Sequence, residues 1–289
     1  MDYKKDHPIT CTDGFTLSAS LYHPSAPLKA AIMIAPATGI KKTFYHGLAT
    51  YLAENGYGVI CFENRGIGQS KQGSINDINA SLKTWGTLDM TAVLESLKEA
   101  FPDTTYHLIG HSAGGQLLGL MDNALEIRSM FNFACSSGYI GNIPYPFKIQ
   151  GSFFLRIFMP LSAALLGQAN NQWMGMGEPL PRKVALQWSR WCTRPGYVVN
   201  DFGKEIDQHW YDDIRIPSKW VHATDDPIAN LANVKDMIRV YTQIESEIVT
   251  LEPKALGHGS IGHMQFFSSK KKDLWPMALD WLDEHAIPS

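Results

Sequence analysis

Leu108-Ile109-Gly110-His111-Ser112-Ala113-Gly114-Gly115 places a serine at the centre of the pattern Gly-x-Ser-x-Gly. Residues 106–109 in front of the pattern are strand-like, and residues 116–121 behind it can continue as a buried helix. A serine at such a junction lies on a very sharp turn, which exposes its hydroxyl above the end of a sheet. The segment therefore predicts that Ser112 is a catalytic nucleophile.

Glycines surround this serine because so tight a turn brings the residues two before and two after it too close to each other to carry side chains. Gly110 and Gly114 occupy those positions, and Gly115 lets the next helix pack close to the strand. The pattern alone also fits a serine in a glycine-rich loop. The strand and helix signals on its two sides favour the nucleophile.

The bulk composition narrows the class of protein. The chain has 289 residues, 45% of them hydrophobic, and a formal net charge of −3. That length fits one large domain or two small ones, and the negative charge argues against a nucleic-acid partner. The four cysteines are scattered and residues 1–6 are polar. We therefore expect no disulfides, no secretory signal and a cytoplasmic location.

One apolar stretch, residues 149–166, has to be considered as a possible membrane-spanning helix. It is rich in Phe, Leu and Ala, but Arg156 and Pro160 interrupt it. A membrane span needs about 20 apolar residues without charge. We therefore predict a buried or lid helix and no membrane span, with an interfacial anchor as the alternative.

Strand and helix signals alternate along most of the chain. Continuous apolar runs of strand length, such as residues 30–35 and 57–62, are separated by segments with helical spacing. Such alternation predicts an α/β fold with a parallel sheet covered by helices on both faces. The alternation stops near residue 138 and resumes near residue 216. We expect a core domain of residues 1–138 and 216–289, interrupted by an inserted cap of residues 139–215.

A nucleophilic serine needs a base to take its proton and an acid to orient that base. In folds that carry the serine on such a turn, the acid and then a histidine follow it along the chain. Asp225 and Asp226 come directly after the strand-like residues 218–224. We favour Asp226 as the acid, which leaves Asp225 as a cap or a supporting group.

Two histidines, His258 and His263, lie in the loop between the last predicted strand and the last helix. We favour His263 as the base because a glycine precedes it and an apolar residue and two phenylalanines follow closely. His111 adjoins Ser112, but on this turn its side chain is expected to point away from the serine.

The third requirement is a pair of backbone N–H groups that stabilise the developing oxyanion. Ala113, the residue after the nucleophile, supplies one of them. The loop of residues 35–39, after the third strand, supplies the other. Because Pro36 has no N–H, that second donor is Ala37 or, as the less favoured choice, Thr38.

Over nearly its full length the sequence resembles the α/β-hydrolase superfamily. Besides the serine motif it contains Glu63-Asn64-Arg65-Gly66-Ile67-Gly68-Gln69-Ser70, which is similar to the D-x-R-G-x-G-x-S loop of that superfamily with Glu63 in place of Asp. The resemblance implies a mostly parallel eight-stranded sheet with an inserted cap. It also implies Ser112, Asp226 and His263 as the catalytic triad.

Within the superfamily the chain resembles a bacterial group of predicted serine α/β-hydrolases that has no assigned substrate. The shared segments are residues 35–39, 185–192, 225–227 and 261–267. Gln265 departs from that group, in which we expect Gly. This side chain lies next to the base and could change the shape or the hydrogen bonding of the pocket.

The combined pattern predicts hydrolysis of a carboxylic ester or thioester with a small or apolar acyl group, through an acyl-enzyme on Ser112. Neither a metal nor an organic cofactor is expected, since the Asp and His residues of 207–213 lack tight ligand spacing. The alternatives are a C–C bond hydrolase, an acyltransferase, a peptidase, or a non-catalytic binding protein with this fold. The oligomeric state stays open between monomer and homodimer.

Aromatic residues are concentrated in or near the cap. They form its own small core, line an apolar pocket for the substrate, or do both. The residues concerned are Phe147, Phe153, Phe154, Phe158, Trp173, Trp188, Trp191 and Tyr197.

Overall fold

Eight strands form one sheet in the computed structural model, which describes residues 3–174 and 177–286. Met1 and Asp2 of the polar N-terminus lie outside the described residues. The eight strands are β1 (Tyr3–Thr10), β2 (Thr16–Tyr22), β3 (Ala30–Ala35), β4 (Tyr57–Phe62), β5 (Tyr106–His111), β6 (Ile127–Phe133), β9 (Pro217–Ala223) and β10 (Glu245–Leu251), while β7 (Gln168–Ala169) and β8 (Leu180–Pro181) pair separately.

The strands of the large sheet follow the order β1-β2-β4-β3-β5-β6-β9-β10. The β1–β2 and β2–β4 pairs are antiparallel, and every other pair in this sheet is parallel. This arrangement confirms the predicted α/β-hydrolase fold with a mostly parallel, eight-stranded sheet.

The pairing of β3 with β5 positions the site. Both strands lie in the middle of the sheet, and every residue of β3 is buried. Ala35 at the end of β3 lies opposite Gly110 near the end of β5. Because the carboxyl ends of parallel strands meet at one edge, the loop after β3 comes to lie beside Ser112.

Seven main helices are described. They are α1 (His46–Glu54), α2 (residues 82–100), α3 (Ala113–Gln116), α4 (Phe147–Leu166), α5 (Arg182–Cys192), α6 (Leu231–Ile238) and α7 (Pro276–His285). Helix α2 begins with a capping box at Ser81 and contains a π-helical segment, Trp85–Met90, between its two α-helical parts. Short 3₁₀ turns occupy several of the connections.

The helix after Ser112 is much shorter than the sequence predicts. Helix α3 ends at Gln116, and a separate 3₁₀ turn follows at Leu118–Leu120. The Oη of Tyr211 donates to the carbonyl of Gln116 at 2.6 Å, and the N–H of Trp210 donates to the carbonyl of Gly119 at 2.7 Å. These donors take the carbonyls that a longer helix would use, so tertiary contacts override the local helical pattern.

Between β6 and β9 the chain leaves the sheet and forms helices α4 and α5. Helix α4 is long and apolar enough to cross a membrane by length and composition, and it is the one such helix among residues 3–174 and 177–286. Its most apolar window is only 28% buried. The sequence predicts a buried or lid helix, and the buried alternative is wrong for the outward side of α4, which faces away from the fold.

The aromatic residues of this segment divide into two groups. Phe154, Trp191 and Tyr197 are buried, and the partly buried Phe158 and Trp188 pack against the core. Phe153 and Trp173 are 49% and 68% exposed. Most of these side chains thus build the core of the segment, whereas the last two do not.

Candidate active site

Ser112 lies between the last residue of β5 and the first residue of α3. Its backbone has φ 49° and ψ −112°, a conformation that costs energy for any residue other than glycine. The Ser112 N–H donates to the carbonyl of Phe133 on the neighbouring strand at 3.1 Å, which helps to hold this turn. A strained serine at a strand-to-helix junction is the geometry that the sequence predicts for the nucleophile.

The glycines of the turn are required by close approaches of the backbone. A Cβ on Gly114 would lie 2.0 Å from the carbonyl oxygen of Ala35, at the end of β3. A Cβ on Gly110 would lie 2.6 Å from the Cα of Gly115. The obstacles are therefore the adjacent strand and Gly115, rather than the contact between Gly110 and Gly114 that we expected.

The structure brings Ser112, His263 and Asp226 into one hydrogen-bonded chain. His263 Nε2 lies 3.0 Å from Ser112 Oγ, and His263 Nδ1 lies 2.7 Å from Asp226 Oδ2. A carboxylate can only accept, so the Nδ1–H donates to Asp226 and leaves Nε2 free to receive the serine proton. His263 side-chain atoms are 16% exposed and those of Asp226 are fully buried.

Asp226 stays ionised despite its burial. Burial by itself raises the pKa of this carboxyl, but the charge and hydrogen bond of His263 together with two backbone N–H donors hold the pKa below its ordinary value of 3.8. Those donors are Ile228 and Ala229, whose N–H groups lie 2.8 and 3.0 Å from Asp226 Oδ1. Both carboxylate oxygens are therefore engaged, which fixes the orientation of the acid.

Asp225 and His258, the competing acid and base candidates, have different partners. The Asp225 carboxylate accepts the N–H groups of Ile261 and Gly262, each at 2.9 Å. It therefore holds the loop that carries His263. His258 Nε2 pairs instead with Asp273 at 2.7 Å and makes no contact of this kind with the serine.

The loop after β3 corrects the expected oxyanion donor. The Ala37 N–H donates to the phenol oxygen of Tyr45 at 2.9 Å, so it is already engaged in a buried hydrogen bond. Within the described part of the chain, no hydrogen bond takes the N–H of Thr38 or of Ala113. Ala113 and Thr38, the less favoured choice for the second donor, are therefore the candidate donors with a free N–H, and Ala37 is not.

A buried hydrogen-bond chain links this loop to the base. Tyr45 Oη, which accepts from Ala37, lies 2.9 Å from His111 Nδ1. His111 Nε2 lies 3.0 Å from the carbonyl oxygen of His263. A carbonyl can only accept, so Nε2 carries the proton and Nδ1 accepts the Tyr45 hydroxyl.

The His111 ring in this row of hydrogen bonds is therefore neutral, which agrees with its burial. Burial and then the charge of His263 lower the pKa of His111 from 6.5 to about 3. The sequence predicts that the His111 side chain turns away from Ser112 and does not suggest these partners. The residue is 152 positions from His263, and no motif joins the two.

Two departures from the superfamily pattern have local explanations. The carboxylate of Glu63 accepts the N–H groups of Lys42 and Gln69, at 3.3 and 2.7 Å, and so braces the loop that contains it. The Gln265 amide donates to Ser260 Oγ at 2.8 Å within the base loop. Each polar side chain thus has a partner in or beside its own loop.

A metal site is not formed by the residues that the structure describes. No group of three or more His, Cys, Asp or Glu side chains among them could hold a metal ion. In the stretch of residues 207–213, His209 stacks on Phe202 with ring centroids 3.8 Å apart, and Asp212 accepts from Thr242 at 2.8 Å.

Solved structures with the same fold are numerous. A soluble variant of monoglyceride lipase from Saccharomyces cerevisiae in complex with a substrate analog is 16% identical, with a TM-score of 0.68, and the match covers 100% of this chain and 97% of that one. The Pyrococcus furiosus esterase PF2001 is 16% identical, with a TM-score of 0.61 and coverage of 98% and 91%. A Paleococcus ferrophilus monoacylglycerol lipase is 14% identical, with a TM-score of 0.60 and coverage of 93% and 99%.

Sequence comparison identifies the family. No curated protein matches the chain. A family model described as serine aminopeptidase, S33, matches residues 17–174, which is more than half of the chain. The protein therefore belongs to the serine aminopeptidase S33 family of α/β-hydrolases and is a serine hydrolase.

Proposed function

We propose that this protein hydrolyses carboxylic esters or thioesters of a small or apolar acyl group, with Ser112, His263 and Asp226 as its catalytic triad. The observation that carries the proposal is the continuous chain from Ser112 Oγ through both His263 nitrogens to Asp226. Each contact is within hydrogen-bond reach. Because Nδ1 of His263 carries the proton that Asp226 accepts, Nε2 of His263 is free to accept the proton of Ser112.

In the proposed reaction, Ser112 Oγ attacks the acyl carbon while His263 Nε2 takes the hydroxyl proton. Asp226 stabilises the imidazolium that results. The N–H groups of Ala113 and Thr38 stabilise the oxyanion of the tetrahedral intermediate. His263 then gives its proton to the leaving group, and a water molecule activated by the same histidine releases the acid from Ser112.

Ester or thioester cleavage is favoured over the removal of an N-terminal amino acid. An aminopeptidase has to bind the charged amino group of its substrate, which calls for a carboxylate with no competing partner. Near the triad, Asp225 holds two backbone N–H groups and Asp226 holds His263. Glu178, beside the loop after β3, pairs with Lys41 at 3.3 Å.

Residues 139–215 are proposed to act as the cap that selects the acyl group. The Glu178 N–H donates to the carbonyl of Gly39 at 2.9 Å, which joins this segment to the loop that carries Thr38. A cavity of about 250 Å³ lies at that junction and is lined by Gly39, Ile40, Lys41, Thr43, Phe44, Gly177 and Glu178.

The reaction class is tested with p-nitrophenyl esters of graded chain length and with acyl-coenzyme A thioesters. We expect the wild type to turn over short esters and to label with a fluorophosphonate. Ser112→Ala should lower kcat by about 10³-fold or more and abolish labelling. Near-native activity in the Ser112→Ala variant, or folded wild type that fails to label, would refute the assignment and favour a binding protein.

The base is tested with a matched pair of histidine variants. His263→Gln should lower kcat by about 10³-fold, because it removes the group that accepts the serine proton. His258→Gln should change kcat little, since His258 pairs with Asp273 in the same loop region. A larger loss in His258→Gln would exchange the roles of the two residues.

A further inference from the structure

Helix α4 carries an apolar stripe on its outward side. The stripe consists of residues four positions apart, and its members are Ile149, Phe153, Ile157, Leu161 and Leu165, which are 63%, 49%, 52%, 53% and 74% exposed. Exposed apolar residues are normally scattered singly, and a continuous row of this length indicates a surface that something covers. We call this row the outer stripe.

The opposite side of α4 is packed against protein. Phe154, Leu155 and Met159 are buried, and Ser189 of helix α5 donates to the carbonyl of Leu155 at 2.5 Å. The ring of Phe154 also meets that of Trp188 with centroids 6.1 Å apart. Because one side of α4 is bound to α5, the helix can lie along a membrane but cannot span it without leaving its own fold.

Both charged residues within α4 are positive. Lys148 lies at the beginning of α4, and the exposed Arg156 lies beside Ile157. No Asp or Glu occurs between Glu126 and Glu178, although the whole chain has a net charge of −3. A helix that combines an exposed apolar row with its own cations complements an anionic lipid surface, which combines an apolar interior with negative headgroups.

A second copy of this chain fits the outer stripe less well. Arg156 lies close to the midpoint of Phe147–Leu166. A two-fold antiparallel pairing of two α4 helices through their middle would bring the Arg156 of one copy next to the same residue of the other. Helix α4 itself contains no carboxylate that could offset this repulsion. The positive charges that favour binding to anionic lipid therefore oppose the pairing of two copies.

We propose that α4 docks on an anionic lipid surface, with its axis in the plane of the interface and the outer stripe inserted among the acyl chains. Tyr145 and Trp173, which are 74% and 68% exposed, flank the helix along the chain. Aromatic side chains of this kind prefer the boundary between headgroups and hydrocarbon. This docking does not depend on the proposed reaction.

The proposal is tested by flotation of the purified full-length protein with vesicles. One set contains phosphatidylcholine alone, and the other contains phosphatidylcholine with phosphatidylglycerol. We expect the wild type to float with the anionic vesicles, and to do so less well with neutral vesicles or at high salt. Ile157→Glu and Leu165→Glu should each lower the partition coefficient by about tenfold or more. Arg156→Gln should weaken the preference for anionic vesicles.

Leu125→Glu is the matched control, because Leu125 is 54% exposed and lies outside the cap segment. It should float like the wild type, and the thermal midpoints of all variants show whether they remain folded. Two results would overturn the proposal. One is a folded Ile157→Glu that partitions like the wild type. The other is a wild type that does not bind anionic vesicles, and if that protein forms a dimer that Ile157→Glu dissociates, a second copy is the occupant.

Discussion

At the scale of single residues, two adjacent carboxylates perform different tasks. Asp226 receives the His263 Nδ1–H, whereas Asp225 receives two backbone N–H groups of the loop that carries His263. In the proposed triad, Asp226 sets the tautomer of His263, and Asp225 sets the position of its backbone. The difference arises from the turn after β9, which buries Asp226 and leaves Asp225 exposed.

Replacement of these two acids should separate their roles. Asp226→Asn should lower kcat by about 10³-fold or more, because an amide no longer enforces the Nδ1–H tautomer. Asp225→Ala should cost about 10- to 100-fold through a displaced loop. Asp225→Asn keeps one acceptor oxygen and should recover part of that loss. Steady-state kinetics on a short ester measure these effects, and equal losses in Asp226→Asn and Asp225→Ala would contradict the assignment.

Tyr45 is expected to act as a positioning residue. Tyr45→Phe leaves the Ala37 N–H and His111 Nδ1 without their partner. Because the two ends of that hydrogen-bond chain hold the oxyanion loop and the base, kcat should fall about tenfold with little change in KM. Tyr57→Phe is the matched control, since the buried Tyr57 donates to Asp283 instead. An unchanged kcat with only a lower thermal midpoint would show that Tyr45 is merely structural.

At the scale of elements, helix α2 holds a buried ion pair. Asp89, in the π-helical segment of α2, accepts from Arg65 Nε at 2.6 Å, and both side chains are almost fully buried. Arg65 also pairs with Asp13 at 2.6 Å, but Asp13 is 39% exposed. The pair connects α2 to the loop after β4, and the sequence pattern predicts the helix without predicting this contact.

Removal of the buried partner should destabilise the fold far more than removal of the exposed one. Asp89→Ala leaves the Arg65 guanidinium buried without its main counter-charge, which should cost about 3–5 kcal/mol of unfolding free energy. Asp13→Ala should cost about 1 kcal/mol or less, because water can replace that partly exposed carboxylate. Urea unfolding measures both values, and similar losses in the two variants would contradict the explanation.

At the scale of the whole molecule, buried neutral histidines couple stability to pH. Burial lowers the pKa of His107 from 6.5 to about 4, and the ring hydrogen-bonds to Ser129 and Thr105. Between about pH 4 and pH 6.5 the native ring binds fewer protons than the unfolded chain. The free energy of unfolding therefore decreases as the pH falls through this window.

This coupling is isolated by comparing the wild type with His107→Gln. The wild type should lose stability more steeply between about pH 6.5 and pH 4, by up to about 1.4 kcal/mol per pH unit. Urea unfolding at several pH values gives the two slopes, and all other titrating groups are common to both proteins. Parallel slopes would show that His107 is protonated in the native state.

Local patterns along the sequence are enough to predict the fold class and the candidate triad. Apolar runs of strand length separated by helical spacing specify a mostly parallel sheet. The glycine pattern around Ser112 and the chain order of Asp226 and His263 place the three residues at the same edge of that sheet. These signals extend over a few residues and need no knowledge of distant contacts.

Which backbone N–H groups are free, and which surfaces are covered, depends on contacts between distant parts of the chain. Ala37 loses its expected role because the Tyr45 phenol reaches it across a turn. His111 meets a carbonyl 152 residues away. Helix α3 ends early because Tyr211 takes one of its carbonyls. Hydrophobic periodicity predicts that α4 is apolar, but packing against α5 alone determines which side stays exposed. Each outcome depends on competition between distant groups, which a linear pattern does not encode.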